Sequence, residues 1–252
     1  MTLFTRARVA WKFYSLYQHY CKYRLNMLVP GVQKVIDEYS EKTGSTGTKY
    51  PTLYRAVSKI LTNKPNWILE SGTGTSTLVL AEAVLRVKKS DPNFKCKIVS
   101  MESVPKWFEM AKNLLPAKYN ELVEIRLGER ELFEYSMFRG YAHSNIPEHP
   151  YDFVFLDGPS YADDKGATTC MDAIKVRLMS GQISISCIID TRVSSVLMMQ
   201  TIFGTGIVKY FPFHRTCSFE MPSLKSNPGI SNENFSSGLN GRLRLRKDTF
   251  LS

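Results

Sequence analysis

The chain reads as one α/β domain on a parallel sheet wound with helices and closed at one edge by an antiparallel hairpin. Three observations predict this. From residue 52 onward, helix-like and strand-like segments alternate. The strand-like segments are short, unbroken apolar runs, as strands covered on both faces are. The last two, Ile207 to Phe213 and Thr216 to Met221, follow each other with no room for a helix, which places a hairpin at the sheet edge.

Each element follows from its own signals. Thr52 to Leu61 is helical and is stopped by Asn63-Lys64-Pro65, and Asn66 to Glu70 is the first strand. Ser76 to Lys88, rich in Leu, Val and Ala, is a helix broken by Asp91-Pro92-Asn93. Lys95 to Met101 forms the second strand, and Pro105 to Leu115 a helix with proline in its first turn. Leu122 to Leu127 and Tyr151 to Leu156 are the third and fourth strands, the latter entering the turn Asp157-Gly158-Pro159. Ile183 to Ile189 is the fifth, ending at Asp190, and Val193 to Phe203 is a helix closed by Gly204. No internal repeat interrupts this order.

With 252 residues, 43% of them hydrophobic, the chain can bury one core but is too short for two full domains. The expected organisation is a helical extension over residues 1–50, the α/β domain over 51–222 and a Ser, Asn and Gly-rich tail over 223–252 that ends in Arg242, Arg244, Arg246 and Lys247. Five scattered cysteines without a CxxC pair fit a reducing compartment and no structural metal. No run approaches the roughly 18 apolar residues of a membrane span, and no secretory signal is evident, so a cytoplasmic protein is expected, with membrane association left open.

A net charge of +10 favours anionic surroundings: lipid headgroups, nucleic acid or an acidic substrate. Residues 1–36 concentrate it, with six Lys and Arg side chains, no acid, and Trp11, Phe13, Tyr14, Tyr17, Tyr20 and Tyr23 interleaved. Such a helix can lie on an anionic membrane, bind nucleic acid or act as an organelle presequence. Its apolar positions form no clean single stripe, so the expected arrangement packs the aromatics on the domain and leaves the bases in water.

The most chemically informative stretch is Trp67 to Ser76, where an apolar run ends in Glu70 and then in Gly72 and Gly74, one residue apart. Glycine lets backbone approach a ligand, and the helix that follows turns its free N–H groups and positive dipole end toward negative charge. Glu102, at the end of the next apolar run, can accept hydrogen bonds from two ribose hydroxyls. The two acids together point to an adenosine site.

Glu70-Ser71-Gly72-Thr73-Gly74 after the first strand, Glu102 closing the second, Tyr151 to Pro159 on the fourth and the terminal hairpin resemble the class I S-adenosylmethionine-dependent methyltransferases, over roughly residues 50 to 221. The resemblance implies a Rossmann-like, seven-stranded, mostly parallel sheet whose last strand is antiparallel, with helices on both faces. It implies S-adenosyl-L-methionine as cofactor. The loop Glu70, Ser71, Gly72, Thr73 and Gly74 would wrap the methionine part, Thr75 and Ser76 would offer donors to its carboxylate, Glu102 would hold the ribose, and Glu129, beside Gly128, would border adenine. Asp157 would face the sulfonium and the acceptor, as cofactor contact and catalytic residue.

Methyl transfer is an in-line displacement that rests mostly on proximity and exclusion of water. For a hydroxyl acceptor a base helps, and Asp157, His143, His149 and His214 are the candidates. Asp157 and Asp190 also stand where the catechol and caffeoyl-coenzyme A type enzymes hold magnesium. Thr191 replaces their adjacent asparagine, so no metal ligands are assigned, although two carboxylates can still hold Mg2+ that keeps most of its waters. A nicotinamide fingerprint is disfavoured because Thr77 occupies the place of its third glycine, and the spacing of Tyr161 and Lys165 is ascribed to chance. Gly128 to Pro150 and Tyr161 to Thr169, with Tyr135 and Tyr141, are expected to line the acceptor side. The acceptor favoured is a small molecule or glycan hydroxyl, with presentation at a membrane surface as one option. The alternatives are nucleic-acid methylation and a non-catalytic binding protein of the same fold.

Overall fold

The computed structural model describes residues 3–44, 49–158, 169–190, 192–211 and 214–224, with side chains from residue 13 onward. The expected segments at Tyr161 to Lys165, Thr191 and the basic tail lie outside the described residues.

Three helices precede the sheet: α1 (Leu3–Leu28), α2 (Val32–Thr43) and α3 (Tyr50–Asn63). The first two are separate because Val29-Pro30-Gly31 turns the chain: proline cannot continue the hydrogen-bond ladder, and Gly31 takes a left-handed φ of 87°. The α/β alternation then runs β1 (Trp67–Ser71), α4 (Thr75–Ser90), β2 (Lys97–Glu102), α5 (Pro105–Leu114) and β3 (Val123–Leu127). A hairpin of β4 (Arg130–Tyr135) and β5 (Phe138–His143) follows, then β6 (Phe153–Leu156), α6 (Asp172–Met179), β7 (Ser184–Ile189), α7 (Val193–Phe203), β8 (Lys209–Phe211) and β9 (Thr216–Pro222).

Seven strands form one sheet in the order β3-β2-β1-β6-β7-β9-β8. Strands β1, β2, β3, β6 and β7 are parallel, while β9 runs antiparallel to both β7 and β8. This is the Rossmann-like sheet with a closing hairpin that the sequence predicts. Alternation along each strand divides the core in two. Ile68, Ile98, Phe153 and Phe155 pack beneath α2, α3 and α4, and Leu69, Val99, Val154 and Leu156 pack beneath α6, α7 and the β4–β5 hairpin.

Two elements depart from expectation. The β4–β5 hairpin turns on Ser136-Met137, with Ser136 at φ 56°, and lacks the Asn-Gly or Asp-Gly pair that would have announced it. Helix α6 spans only eight residues, and its Ile174, Val176 and Leu178 alternate as a strand would. On α1, two stripes replace the expected absence of one: Cys21 and Leu25 are fully buried against the domain, while a second apolar row faces outward. Among the described residues, no helix is long and apolar enough to cross a membrane. All five cysteines are free and buried.

Candidate active site at the strand ends

Strand order reverses between β1 and β6, and in an open parallel sheet the crevice beyond the carboxyl ends at such a point is where ligands bind. Hydrogen bonds lace these ends together beyond the strands. The N–H of Gly72 donates to Met101 O at 2.9 Å, that of Gly128 to Glu102 O at 2.8 Å, that of Asp157 to Ser71 O at 2.9 Å and that of Asp190 to Leu156 O at 3.1 Å. The loops bearing the acids thus leave the sheet in fixed directions.

Glu70 and Ser71 are consecutive on β1 and therefore face opposite sides of the sheet. Glu70 is fully buried beside α4, where its Oε2 accepts the hydroxyls of Thr77 at 2.5 Å and Ser100 at 2.6 Å. Its Oε1 is buried and makes no hydrogen bond within normal limits among the described residues. Burial pushes its carboxyl up to about 7, against the pull of the Ser100, Ser76 and Thr77 hydroxyls. Thr77 Oγ1 also accepts the Gly74 N–H at 3.0 Å, so the residue in place of a third glycine closes the start of α4 and ties it to Glu70. The Thr73 and Ser100 hydroxyls lie 3.2 Å apart. At the first turn of α4, Thr75 Oγ1 is buried and unpartnered, and Ser76 is buried beside it.

The two loop glycines have different surroundings. A β-carbon on Gly72, which has φ 96°, would lie 2.7 Å from Gly158 Cα, whereas one on Gly74 would meet nothing within 4 Å. Gly72 therefore serves contact between two loops, and Gly74 presents an open face.

The Ser71 hydroxyl turns away from this loop. It donates to Asp172 Oδ2 at 2.5 Å on α6. Asp172 also accepts the His143 backbone N–H at 2.8 Å, and its Oδ2 lies 2.7 Å from His143 Nδ1. All three side chains are fully buried. Burial opposes the His143 cation, but the Asp172 charge and hydrogen bond overcome it and raise the imidazole above its usual range. Burial likewise opposes the Asp172 carboxylate, which His143 and Ser71 nevertheless hold below the usual range. Ser71 thus borders the crevice with its backbone, and its side chain belongs to this network.

Glu102, half-buried, accepts the N–H groups of Ser103 and Val104 on Oε1, both at 2.8 Å. Oε2 carries no hydrogen bond among the described residues. Glu129 is exposed just beyond β3. Between them Gly128 is packed so tightly that a β-carbon would lie 2.5 Å from Asn145 Oδ1 and 2.8 Å from Met101 Cε.

Asp157 and Asp190, closing β6 and β7, converge on a cation that no motif announced. Lys49, immediately before α3, places Nζ 2.5 Å from Asp190 Oδ2 and 3.4 Å from Asp157 Oδ1. Arg192 adds Nε at 3.1 Å from Asp190 Oδ1 and donates from Nη2 to the Asp157 carbonyl at 2.7 Å. Asp190 is buried and Asp157 partly exposed. Enclosure by protein and the neighbouring Asp190 raise the Asp157 carboxyl, with Lys49 and Arg192 pulling the other way. The ammonium of Lys49 lies within reach of both carboxylates. Among the described residues, no three His, Cys, Asp or Glu side chains group as metal ligands.

The three candidate histidines fall in three places. His143 is locked to Asp172. His149 stacks on Trp67, 3.8 Å between ring centres, at the opposite end of β1 from the crevice. His214 stacks on Tyr17 and lies 2.8 Å from Arg55, and burial with the Arg55 charge lowers its pKa to about 4. Tyr135, expected on the acceptor side, lies with Phe203 and Pro222 toward the amino end of β7, because the hairpin carries it down the sheet face. Tyr141 sits mid-hairpin, under Arg130 at 5.3 Å.

The strand order, with its reversal between β1 and β6 and its antiparallel β9, defines a Rossmann-like fold with a ligand crevice at the carboxyl ends of the strands. No protein-family model matches the chain, and no curated protein matches it either. Among solved structures, the chain is similar to a Podospora anserina methyltransferase, PaMTH1, solved with SAH bound, at 16% identity and TM-score 0.44, covering 100% of this chain and 84% of that one. It is also similar to a methyltransferase from Geobacter sulfurreducens at 10% identity and TM-score 0.49, covering 76% and 88%.

Proposed function

We propose that this protein is an S-adenosylmethionine-dependent methyltransferase acting on a hydroxyl of a small molecule or glycan. The observation that carries the reading is the open face of Gly74 between two acids, Glu70 and Glu102, that end adjacent parallel strands at the sheet's reversal. The unpartnered polar atoms of the site fit such a donor. Thr75 Oγ1 and the first-turn amides of α4 suit a carboxylate. The free oxygen of Glu102 suits a ribose diol, and Glu70 Oε1 suits a cationic group. When bound, the cofactor supplies a methyl group activated by a positively charged sulfur.

The chain's own part is to align and to exclude water. Asp157 borders the crevice, and its raised pKa suits a carboxylate that accepts a hydroxyl proton near neutrality. Lys49 and Arg192 hold it through Asp190 and the Asp157 carbonyl.

Calorimetric titration tests the reading. Micromolar binding of S-adenosylmethionine is expected, with Glu102→Ala weakening it by about 1–3 kcal/mol. Glu102→Gln is the control, because it keeps an acceptor for the Ser103 and Val104 amides and loses only the charge. No binding by folded protein would refute the proposal. Methyl-label transfer to fractionated extract, with and without nuclease, would then distinguish small-molecule from nucleic-acid acceptors.

A further inference from the structure

Helix α1 carries an apolar row that the fold leaves uncovered. Phe13, Leu16, Tyr20, Tyr23 and Met27 are 60%, 68%, 46%, 63% and 62% exposed. Their spacing of three, four, three and four residues puts them on one line along the helix, about 21 Å long. The opposite face is anchored: Cys21 and Leu25 are fully buried, Tyr17 stacks on His214, and Gln18 Oε1 accepts the Tyr50 N–H at 3.0 Å. The row is therefore held outward by a helix that the domain keeps in place.

Charge selects the occupant. Helix α1 contains Arg6, Arg8, Lys12, Lys22 and Arg24 and neither aspartate nor glutamate. Arg24 lies along the edge of the row, with Nη1 donating to the Tyr20 hydroxyl at 3.0 Å and its guanidinium 5.7 Å from that ring. A second copy of this helix would bring like charges together with no acid to pair them. The chain's own tail, with Arg242, Arg244, Arg246 and Lys247 outnumbering Glu233 and Asp248, is net basic and is repelled too. A surface that is negative outside and apolar beneath matches both features, with phenol hydroxyls at headgroup level and Phe13, Leu16 and Met27 among acyl chains.

We propose that the outer face of α1 docks the protein on an anionic lipid bilayer, lying in the interface plane. This stands independently of the catalytic reading. Because Gln18 holds the start of α3 next to Lys49, the bilayer would flank the helix entrance from which Lys49 reaches the acid pair.

Co-sedimentation of the full chain with phosphatidylcholine vesicles, with and without phosphatidylglycerol, tests this. Binding is expected only to the anionic vesicles and is expected to fall as salt rises. Leu16→Ser with Tyr23→Ser should weaken it about tenfold or more without lowering the melting temperature. Ile183→Ser, at an exposed apolar position at the start of β7, should leave it unchanged. Three outcomes would overturn the proposal: no binding to anionic vesicles, equal binding by the double variant, or a lipid-free dimer that the double variant abolishes. Oligonucleotide binding that is lost in the double variant and not displaced by vesicles would overturn it too.

Discussion

Gly72 and Gly158 meet backbone to backbone: a β-carbon on Gly158 would lie 2.5 Å from Gly72 Cα, and one on Gly72 would lie 2.7 Å from Gly158 Cα. The loop after β1 and the turn after β6 can approach this closely only because neither residue has a side chain. Their contact sets the floor of the crevice at the sheet's reversal.

Gly158→Ala should therefore destabilise the fold by about 1–3 kcal/mol, since the obstacle is backbone that cannot rotate away. Gly74→Ala should change stability by no more than about 0.5 kcal/mol, its β-carbon having open space, yet weaken S-adenosylmethionine about tenfold. Urea unfolding and calorimetry on both variants check this. Equal destabilisation by the two substitutions would refute the division of roles.

Stability should decline as pH rises through neutrality. Glu70 titrates near 7 in the fold and near 4.5 in the unfolded chain, so between those values the folded state holds the extra proton and loses stability as pH rises. His143, raised above 6.5, adds stability that is complete below that value and lost as pH climbs through its folded pKa. Urea midpoints from pH 5 to 9 should fall in the native protein, and Glu70→Gln should flatten the portion below 7.

Asp172→Ala should cost about 3–5 kcal/mol, because it strands the Ser71 hydroxyl and the His143 backbone and ring groups in a fully buried site. Asp172→Asn should cost less, keeping one acceptor. The cost of both substitutions should be full above pH 3.8 and shrink as pH falls below it, since the depressed Asp172 pKa contributes stability that is lost only there. Denaturant titrations at several pH values measure this.

Lys49→Met should take the ammonium away from Asp190, which keeps Arg192, and raise Asp157 further, at a cost of about 1–3 kcal/mol in stability. In the transferase assay the acid limb of the pH profile should move to higher pH. Lys49→Arg should restore most of it. An unmoved limb would separate Lys49 from the acid pair.

The strand ends were legible because their chemistry is local. An apolar run that stops at Glu70 before two glycines, or at Asp157 before Gly-Pro, encodes a strand entering a tight loop, and alternation along residues 52–221 encodes the winding. Helix α6 and the β4–β5 hairpin were hidden because Ile174, Val176 and Leu178 carry a strand's period and Ser136-Met137 lacks a turn signature. Partners distant along the chain left no trace either. Lys49 reaches Asp157 and Asp190 across 108 and 141 residues, and Ser71 finds Asp172 across 101. Even the two faces of α1 separate only when α3 covers one of them. Sequence by itself determined the periodicities and the acids and glycines that punctuate them, since these depend on neighbouring residues. Which acid meets which cation, and which face stays bare, was decided by tertiary packing, because burial and Coulomb attraction act through space.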